Sequence, residues 1–319
     1  MRRRDFLTLL SAAGANVVAG GAVHAGSARG MARDAPASPP QPVGSLPATE
    51  GVRFIALGDM GTGESNQYSL AAGMAGCHDQ HPFDVALTLG DNIYPNGDPA
   101  LFKEKFERPY AELLRRGVRF YAALGNHDVR LGRGAAMRYP DFNMNGQAYY
   151  SFVKGGGLVE FFALDSTAPD AAQMRWLEGA LSASGARWKL AYFHHPIYSS
   201  AVTHGPETRL RARLEPLFVK YGVAAALSGH DHVYERTRPQ RGVQYFVCGA
   251  GGQLRRGDLD RRSPFFAAGN DQVNSFMCFE ATPERLSFRS LDAAGKTLDE
   301  GLIAAAPALP AAGSAGRLS

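Results

Sequence analysis

Val85-Ala86-Leu87-Thr88-Leu89-Gly90-Asp91-Asn92-Ile93-Tyr94 holds the pattern on which the reading of this chain turns. Residues 85–89 form an apolar run long enough for one buried strand and too short for a buried helix. The run stops at Gly90-Asp91, and residues 101–115 then carry the 3.6-residue period of an amphipathic helix. The same sentence is repeated along the chain. Residues 52–57 stop at Gly58-Asp59 before a helix-like stretch at 65–76. Residues 118–124 stop at Gly125-Asn126-His127-Asp128, residues 188–193 run into His194-His195, and residues 223–227 run into Gly229-His230-Asp231-His232. Residues 148–153 and 158–164, parted by Gly155-Gly156-Gly157, read as a hairpin, while 171–181 and 207–221 read as helices. Residues 243–247 and the alternating stretch 275–291 supply later strands. Short buried strands alternating with helices predict an α/β fold, in which functional residues gather beyond the carboxyl ends of strands. Each Asp/Asn/His cluster of this chain falls at such an end.

The chain has 319 residues, 45% hydrophobic and 20% charged, the balance of a globular protein able to bury a sizeable core. Its formal net charge is +4, but three arginines and one aspartate at positions 2–5 supply +2 of it. No Lys/Arg stripe with interleaved aromatics appears, so nucleic acid is not an expected partner; the remaining charge does no more than favour an anionic substrate. Cys77, Cys248 and Cys278 lack metal-type spacing, and their odd number is met equally by three thiols or by one disulfide formed after export.

Arg3-Arg4-Asp5-Phe6-Leu7 precedes a Gly- and Ala-diluted apolar run to about Val23 and the small residues around His24-Ala25-Gly26. That order resembles a twin-arginine export signal over residues 1–25. The expected product is an exported protein, periplasmic or secreted, that meets a membrane only through the export machinery. Residues 26–50, rich in Pro, Ala and Ser, read as a linker; 51–303 as the folded domain; and 304–319 as a tail of the linker's composition.

The strand-end clusters supply carboxylates, a carboxamide, imidazoles and, at Tyr94, a phenol. These oxygen and nitrogen donors suit iron, manganese or zinc better than thiophilic metals. Singly, Gly-Asp is a turn, Gly-Asn-His-Asp a capped loop and His-x-His a surface pair. Their joint occurrence, in order and each at a strand end, carries the metal reading. Two metals sharing a carboxylate can clamp a phosphate and activate a water.

The five clusters resemble the metallophosphoesterase signature, and Tyr94, three residues after Asp91, resembles the purple acid phosphatases within the calcineurin-like superfamily. General members of that superfamily carry a histidine in the first cluster, where this chain has Gly61. The resemblance covers about residues 52–252, including Thr203-His204-Gly205-Pro206 and Cys248-Gly249-Ala250-Gly251-Gly252, and is to the short, single-domain, tartrate-resistant type. It implies a sandwich of two mixed β-sheets flanked by helices. It implies a ferric site of Asp59, Tyr94 and His232, a second site for divalent Fe, Zn or Mn at Asn126, His194 and His230, and Asp91 bridging the two. His194 is preferred to His195 because the family's ligand stands two residues before the proline, here Pro196, and because neighbouring strand residues face opposite ways. His195 is then expected to be a rim or structural histidine. The implied reaction is hydrolysis of a small phosphate monoester by a metal-bound hydroxide, with His127 and His204 orienting the phosphate or protonating the leaving group.

Asp128 is expected either to orient His127 or to serve as a turn residue. Asp165, Trp176 and Trp188 are read as structural, and Arg133, Arg138 and Arg255 as arginines without an assigned role. Two alternatives stand beside the monoesterase: a phosphodiesterase or nucleotide hydrolase on the same metals, and a metal-containing binding or redox protein without hydrolysis. His127 and His204 argue against the last, because a binding protein needs no proton donors.

Overall fold

The computed structural model describes residues 51–304, so the expected export signal, the linker and all but the first residue of the expected tail lie outside the described residues. The chain runs β1 (Val52–Leu57), α1 (Ser65–Gln80), β2 (Val85–Thr88), α2 (Ala111–Arg115), β3 (Arg119–Ala122), α3 (Gly134–Arg138), β4 (Tyr150–Lys154), β5 (Val159–Ala163) and α4 (Ala171–Ala183). It continues through β6 (Trp188–Tyr192), α5 (Thr208–Tyr221), β7 (Val223–Ser228), β8 (Tyr234–Thr237), β9 (Gln244–Cys248), β10 (Phe266–Asn270), β11 (Ser275–Ala281), β12 (Leu286–Asp292) and β13 (Thr297–Ile303).

Two mixed sheets result. The first has the order β13-β12-β11-β1-β2-β3, the second β10-β8-β9-β7-β6-β5-β4. In the first, β1, β2 and β3 are parallel, while β11 lies antiparallel to β1, with Val52 opposite Ala281. In the second, β5, β6, β7 and β9 are parallel, with β4 and β8 antiparallel beside them. The sheets face each other across an aromatic core. Phe54 of β1 meets Phe161 of β5 edge-on at 4.9 Å and stacks on Phe279 of β11 at 4.6 Å. Phe246 of β9 meets Phe288 of β12 at 4.9 Å. At one border Trp188 Nε1 donates to the Thr282 carbonyl at 2.7 Å, tying β6 to the turn between β11 and β12.

Strand alternation builds a second core on the outer face of the second sheet. Phe161 points inward and Phe162 outward, where Phe162, Ala191, Ala226 and Tyr245 pack with Leu177 and Leu181 of α4 and Leu210, Leu214 and Phe218 of α5. Asp170 caps α4 by accepting from the Gln173 N–H. Gly222, at φ 68°, closes α5 in the left-handed conformation that glycine adopts without penalty.

The expected hairpin is present as β4 and β5, and Trp188 is buried in the core. Trp176 is half-buried against Tyr149. The amphipathic helix expected over 101–115 is not continuous. Residues 103–107 close an i→i+5 turn, with the Arg108 N–H donating to the Lys103 carbonyl, and a regular helix resumes only at Ala111. Pro109 lacks the N–H that would continue the ladder, which breaks the helix there. Strands β8, β10 and β13 were not expected.

Phe54→Ala removes one of the rings that join the two sheets and lowers stability by about 3–5 kcal/mol. Denaturant unfolding of metal-free protein measures this, and a loss below about 1 kcal/mol would show that the inter-sheet core does not depend on that ring.

Candidate metal centre

The parallel strands of both sheets end on the same side, and the polar clusters converge there. The turns that deliver them are strained. Among the described residues, Asp59 (φ 57°), Asp91 (φ 52°) and His230 (φ 71°) are three of six non-glycine residues with left-handed backbone. Such conformations cost on the order of 1–3 kcal/mol each and persist where the surroundings impose them. Hydrogen bonds hold them here: Asp59 N–H donates to the Gly90 carbonyl at 3.0 Å, and His230 N–H donates to Asp59 Oδ2 at 2.7 Å.

Asp128 buckles two of these loops together. Its carboxylate accepts from the backbone N–H groups of Asn92, Ile93 and Gly125 at 2.9–3.1 Å and from Asn92 Nδ2 at 2.8 Å. Of the two roles expected for it, this is the loop-fixing one; the Nδ1 of His127 is bound instead by the Pro95 carbonyl, at 2.6 Å. Burial, reinforced by the charge of Asp91 and opposed by the N–H groups, pushes the Asp128 carboxyl up to about 7.

Asp59, Asp91, Tyr94 and His232 form one group. The Tyr94 hydroxyl lies 3.0 Å from Asp59 Oδ1, 3.0 Å from Asp91 Oδ2 and 3.3 Å from His232 Nε2. Asn126, His194 and His230 form a second. His194 Nε2 lies 2.9 Å from Asn126 Oδ1, 3.2 Å from His230 Nδ1 and 3.5 Å from Asp91 Oδ2, so Asp91 touches both groups. All seven residues predicted as ligands are thus brought together. Asp59, Asp91 and His194 place one ligand atom each within 4.8 Å of one another.

The electrostatics of this arrangement fit cations. Burial, then the Asp59 and Asp91 charges, raise the Tyr94 phenol far above its ordinary value, so phenolate forms there only with a positive charge between the three oxygens. Burial opposes protonation of His194, but Asp91 and Asp59 outweigh it and push its pKa up to about 10. His194 Nδ1–H donates to the Leu89 carbonyl at 2.9 Å, which turns Nε2 toward the Asn126 and Asp91 oxygens. Burial, followed by the neighbouring imidazoles His194, His195 and His204, drives the His230 pKa well below its usual value and leaves it a neutral donor. Burial would raise the Asp91 carboxyl, yet His194 and His127 hold it below the usual carboxylate range.

His195, expected as a rim or structural histidine, has its ring 4.5 Å from that of His230, and His194, His195 and His230 make a second cluster able to hold a metal. Its Nδ1 lies 2.9 Å from Ser166 Oγ, and burial followed by His194 lowers its pKa to about 4. His127 and His204 flank the centre. The His127 N–H donates to Asp91 Oδ1 at 2.8 Å, and the His204 ring lies 4.4 Å from that of His230. Sequence reasoning missed three supporting residues. Arg130 Nη2 lies 3.1 Å from His127 Nε2, Ser166 Oγ accepts from the His194 and His195 backbone N–H groups, and Asp231 accepts from Ser199 Oγ at 2.6 Å between the two site histidines. Only Asp231 carried a signal, its place inside Gly229-His230-Asp231-His232. Asp165 is structural, pairing with Arg133 at 2.5 Å. Arg255 lies beside His232 through its backbone N–H and 3.8 Å from Asp258. Arg138 packs against Gly134, within its own short helix.

Gly61 explains the departure in the first cluster. A Cβ there would stand 1.7 Å from the Asn92 carbonyl oxygen, and the Gly61 carbonyl accepts the Tyr94 N–H at 2.9 Å. A side chain at position 61 and the Tyr94 loop as folded exclude each other.

The family model for calcineurin-like phosphoesterases matches residues 52–234. Tartrate-resistant acid phosphatase type 5 of rabbit (Oryctolagus cuniculus) is 27% identical over 301 residues, covering 79% of this chain and 90% of its own. Purple acid phosphatase 17 of Arabidopsis thaliana is 30% identical over 243 residues, 66% of this chain and 71% of its own. Among solved structures, the purple acid phosphatase PPD1 from yellow lupin superposes with a TM-score of 0.69 at 20% identity, over 81% of this chain and 55% of its own. GAP50, described as the anchor in the inner membrane complex of Plasmodium, superposes at 0.71, also at 20% identity, over 81% and 90%.

Gly61→Ala displaces the 91–94 loop, costing about 3 kcal/mol and weakening metal retention. Metal analysis after dialysis, with denaturant unfolding, checks this; wild-type values for both would show that the loop has room that the geometry denies.

Proposed function

The chain belongs to the calcineurin-like phosphoesterase family and, within it, to the purple acid phosphatases, hydrolases of phosphate monoesters that use a dinuclear metal centre; from this premise we propose which residues do the work and with which metals. The observation that carries the proposal is Asp91, whose carboxylate joins a group rich in negative charge to a nearly neutral one.

Asp59, Tyr94 and His232 would hold ferric iron, because two carboxylates and a phenolate, counting Asp91, match a hard trication. Asn126, His194 and His230 would hold divalent Fe, Zn or Mn with Asp91 shared. When bound, such a pair supplies Lewis acidity, polarising the phosphoryl oxygens and lowering the pKa of a water at the site. The chain's own residues do the rest. His194, its Nδ1–H held by the Leu89 carbonyl, presents Nε2 in one orientation. His127, fixed through the Pro95 carbonyl and beside Arg130, orients the phosphate from one side. His204, on the exposed loop opposite, protonates the departing alkoxide. Ser166 holds the His194 and His195 backbone N–H groups and the His195 Nδ1, and Asp231 ties the loop between His230 and His232 to Ser199. His195 is assigned a supporting place beside His230 rather than a ligand's, since its Nδ1 is engaged by Ser166.

The twin-arginine-like start supports export to a periplasmic or extracellular space, where a phosphatase meets esters from outside the cell; among the described residues no helix is long and apolar enough to cross a membrane. The likeness to GAP50, an anchor, keeps a non-hydrolytic reading in view at the level of fold alone. His127 and His204 support hydrolysis against it.

Iron-loaded protein is expected to show a broad visible band from phenolate-to-iron charge transfer, with about two metals per chain. Tyr94→Phe abolishes or strongly shifts that band, and an unchanged spectrum would assign iron to other ligands. His204→Ala keeps both metals and loses roughly 10²–10⁴-fold in turnover of an aryl monophosphate. Wild-type turnover in that variant removes His204 from the mechanism, and faster turnover of the bis-aryl diester makes the protein a phosphodiesterase.

A further inference from the structure

We propose that Cys77 and Cys278 are a dithiol–disulfide pair, closed by exchange with a small anionic disulfide that enters a cavity beside them. Cys77 lies in the last turn of α1 and Cys278 in the middle of β11, 201 residues apart in sequence, and their sulfurs are 3.1 Å apart. A disulfide bond is about 2.05 Å long, so closure needs an approach of about 1 Å.

The surroundings differ from those of a pair of inert core thiols. A cavity of about 270 Å³ opens on both sulfur-bearing residues and is bordered by Arg53, His81 and Arg289. A second, of about 400 Å³, reaches Cys77 from the side of residues 293–295. Arg289 is the direct cross-strand neighbour of Cys278. The charged side chains in the lining of the first cavity are two arginines, Arg53 and Arg289, and one carboxylate, Glu280, which pairs with Arg53 at 2.7 Å, so the balance is one positive charge. It suits a disulfide bearing carboxylates, such as oxidised glutathione. The two sulfurs share a hydrogen bond, which together with Arg289 outweighs burial to hold the Cys77 thiol below its ordinary value. Cys278 itself is pushed up, by that same hydrogen bond and by burial. Both cavities open on Cys77 and only the first on Cys278, which makes Cys77 the attacking sulfur and Cys278 the resolving one. Cys248 is the contrast: buried against the Met277 sulfur at 3.1 Å, its thiol pushed up by burial alone.

The exchange balances without a metal. The Cys77 thiolate attacks one sulfur of RSSR and expels RS⁻, leaving a mixed disulfide. Cys278 gives its proton to that RS⁻ and attacks the Cys77 sulfur, forming Cys77–Cys278 and expelling a second RS⁻, which takes up the proton Cys77 had lost. Two electrons pass from the protein dithiol to RSSR, which leaves as two RSH. The bond would fasten α1 to β11, the strand beside β1, and the chain reaches Asp59 two residues after β1 ends at Leu57.

The test uses full-chain protein, reduced, desalted, and equilibrated in glutathione buffers from fully reduced to fully oxidised. Acid quenching, alkylation in denaturant and peptide mass spectrometry then read the thiols. The expected result is a linked pair of peptides carrying Cys77 and Cys278, lighter by about 2 Da than the two thiol peptides, with Cys248 alkylated. The melting temperature rises by roughly 5–10 °C and falls back with dithiothreitol. Cys248→Ser keeps both results, whereas Cys278→Ser loses the shift and accumulates the glutathione adduct on Cys77. Alkylation of all three thiols in the most oxidising buffer, or a linkage through Cys248, overturns the proposal on wild-type protein alone, whether or not the variants fold.

Discussion

The Asp91 carboxylate stands where charge, backbone and exclusion of water meet. It is almost fully buried, accepts the His127 N–H, and lies within 3.0 Å of the Tyr94 oxygen and 3.5 Å of His194 Nε2. A carboxylate taken out of water costs several kcal/mol unless opposite charge goes with it, and Asp59 beside it doubles the demand. Two states satisfy the site. Protons can occupy the Tyr94 phenol and the His194 imidazole, or cations can take their place. The arrangement of everything else around the centre follows from making the second state available without collapsing the first.

Much of that arrangement is backbone. The left-handed turns at Asp59, Asp91 and His230 swing their side chains back over the strand ends instead of along them. No single residue maintains these turns. Asp128 draws the loops after β2 and β3 together with four donors, Gly125 lets the backbone of β3 approach Asp91, where a Cβ would stand 2.1 Å from its nitrogen, and Gly61 leaves space for the Tyr94 loop. The strain is local and its support is distributed, the usual division at a preorganised site.

The strand ends and the predicted ligands were legible because each signal is local: an apolar run, then a polar cluster within a few positions, with a glycine between them everywhere except before His194. The seven predicted ligands could be read for the same reason, each sitting inside such a cluster. What escaped depends on contacts distant in sequence. Arg130 and Ser166 matter through where β3 and β5 end relative to the histidines, and neither belongs to a motif. The helix over 101–115 failed at Pro109, where a local rule outweighed an otherwise good period. β8, β10 and β13 escaped because their pairing, not their composition, makes them strands; β10 is nowhere fully buried, and β13 only at Ile303. His195 shows the limit of strand alternation: beyond the last residue of β6 the chain turns, and two adjacent imidazoles reach one cluster.

The pairing of Val52 with Ala281 sets the order in which the molecule can be assembled. The strand that leads to Asp59 is made first, but one of its two neighbours is β11, almost at the other end of the domain. The loop around Asp59 is also closed from that end: Gly58 N–H donates to the Cys248 carbonyl, and Gly251 N–H to the Gly58 carbonyl. A chain emerging from the ribosome therefore holds β1 with one edge open until nearly all of the domain has been synthesised. Such non-local closure is slow and leaves an unpaired apolar strand exposed meanwhile. The centre is accordingly a late product of folding, finished only when the C-terminal meander docks. Truncation within the last strands would remove no predicted ligand, yet would unframe the first carboxylate of the site.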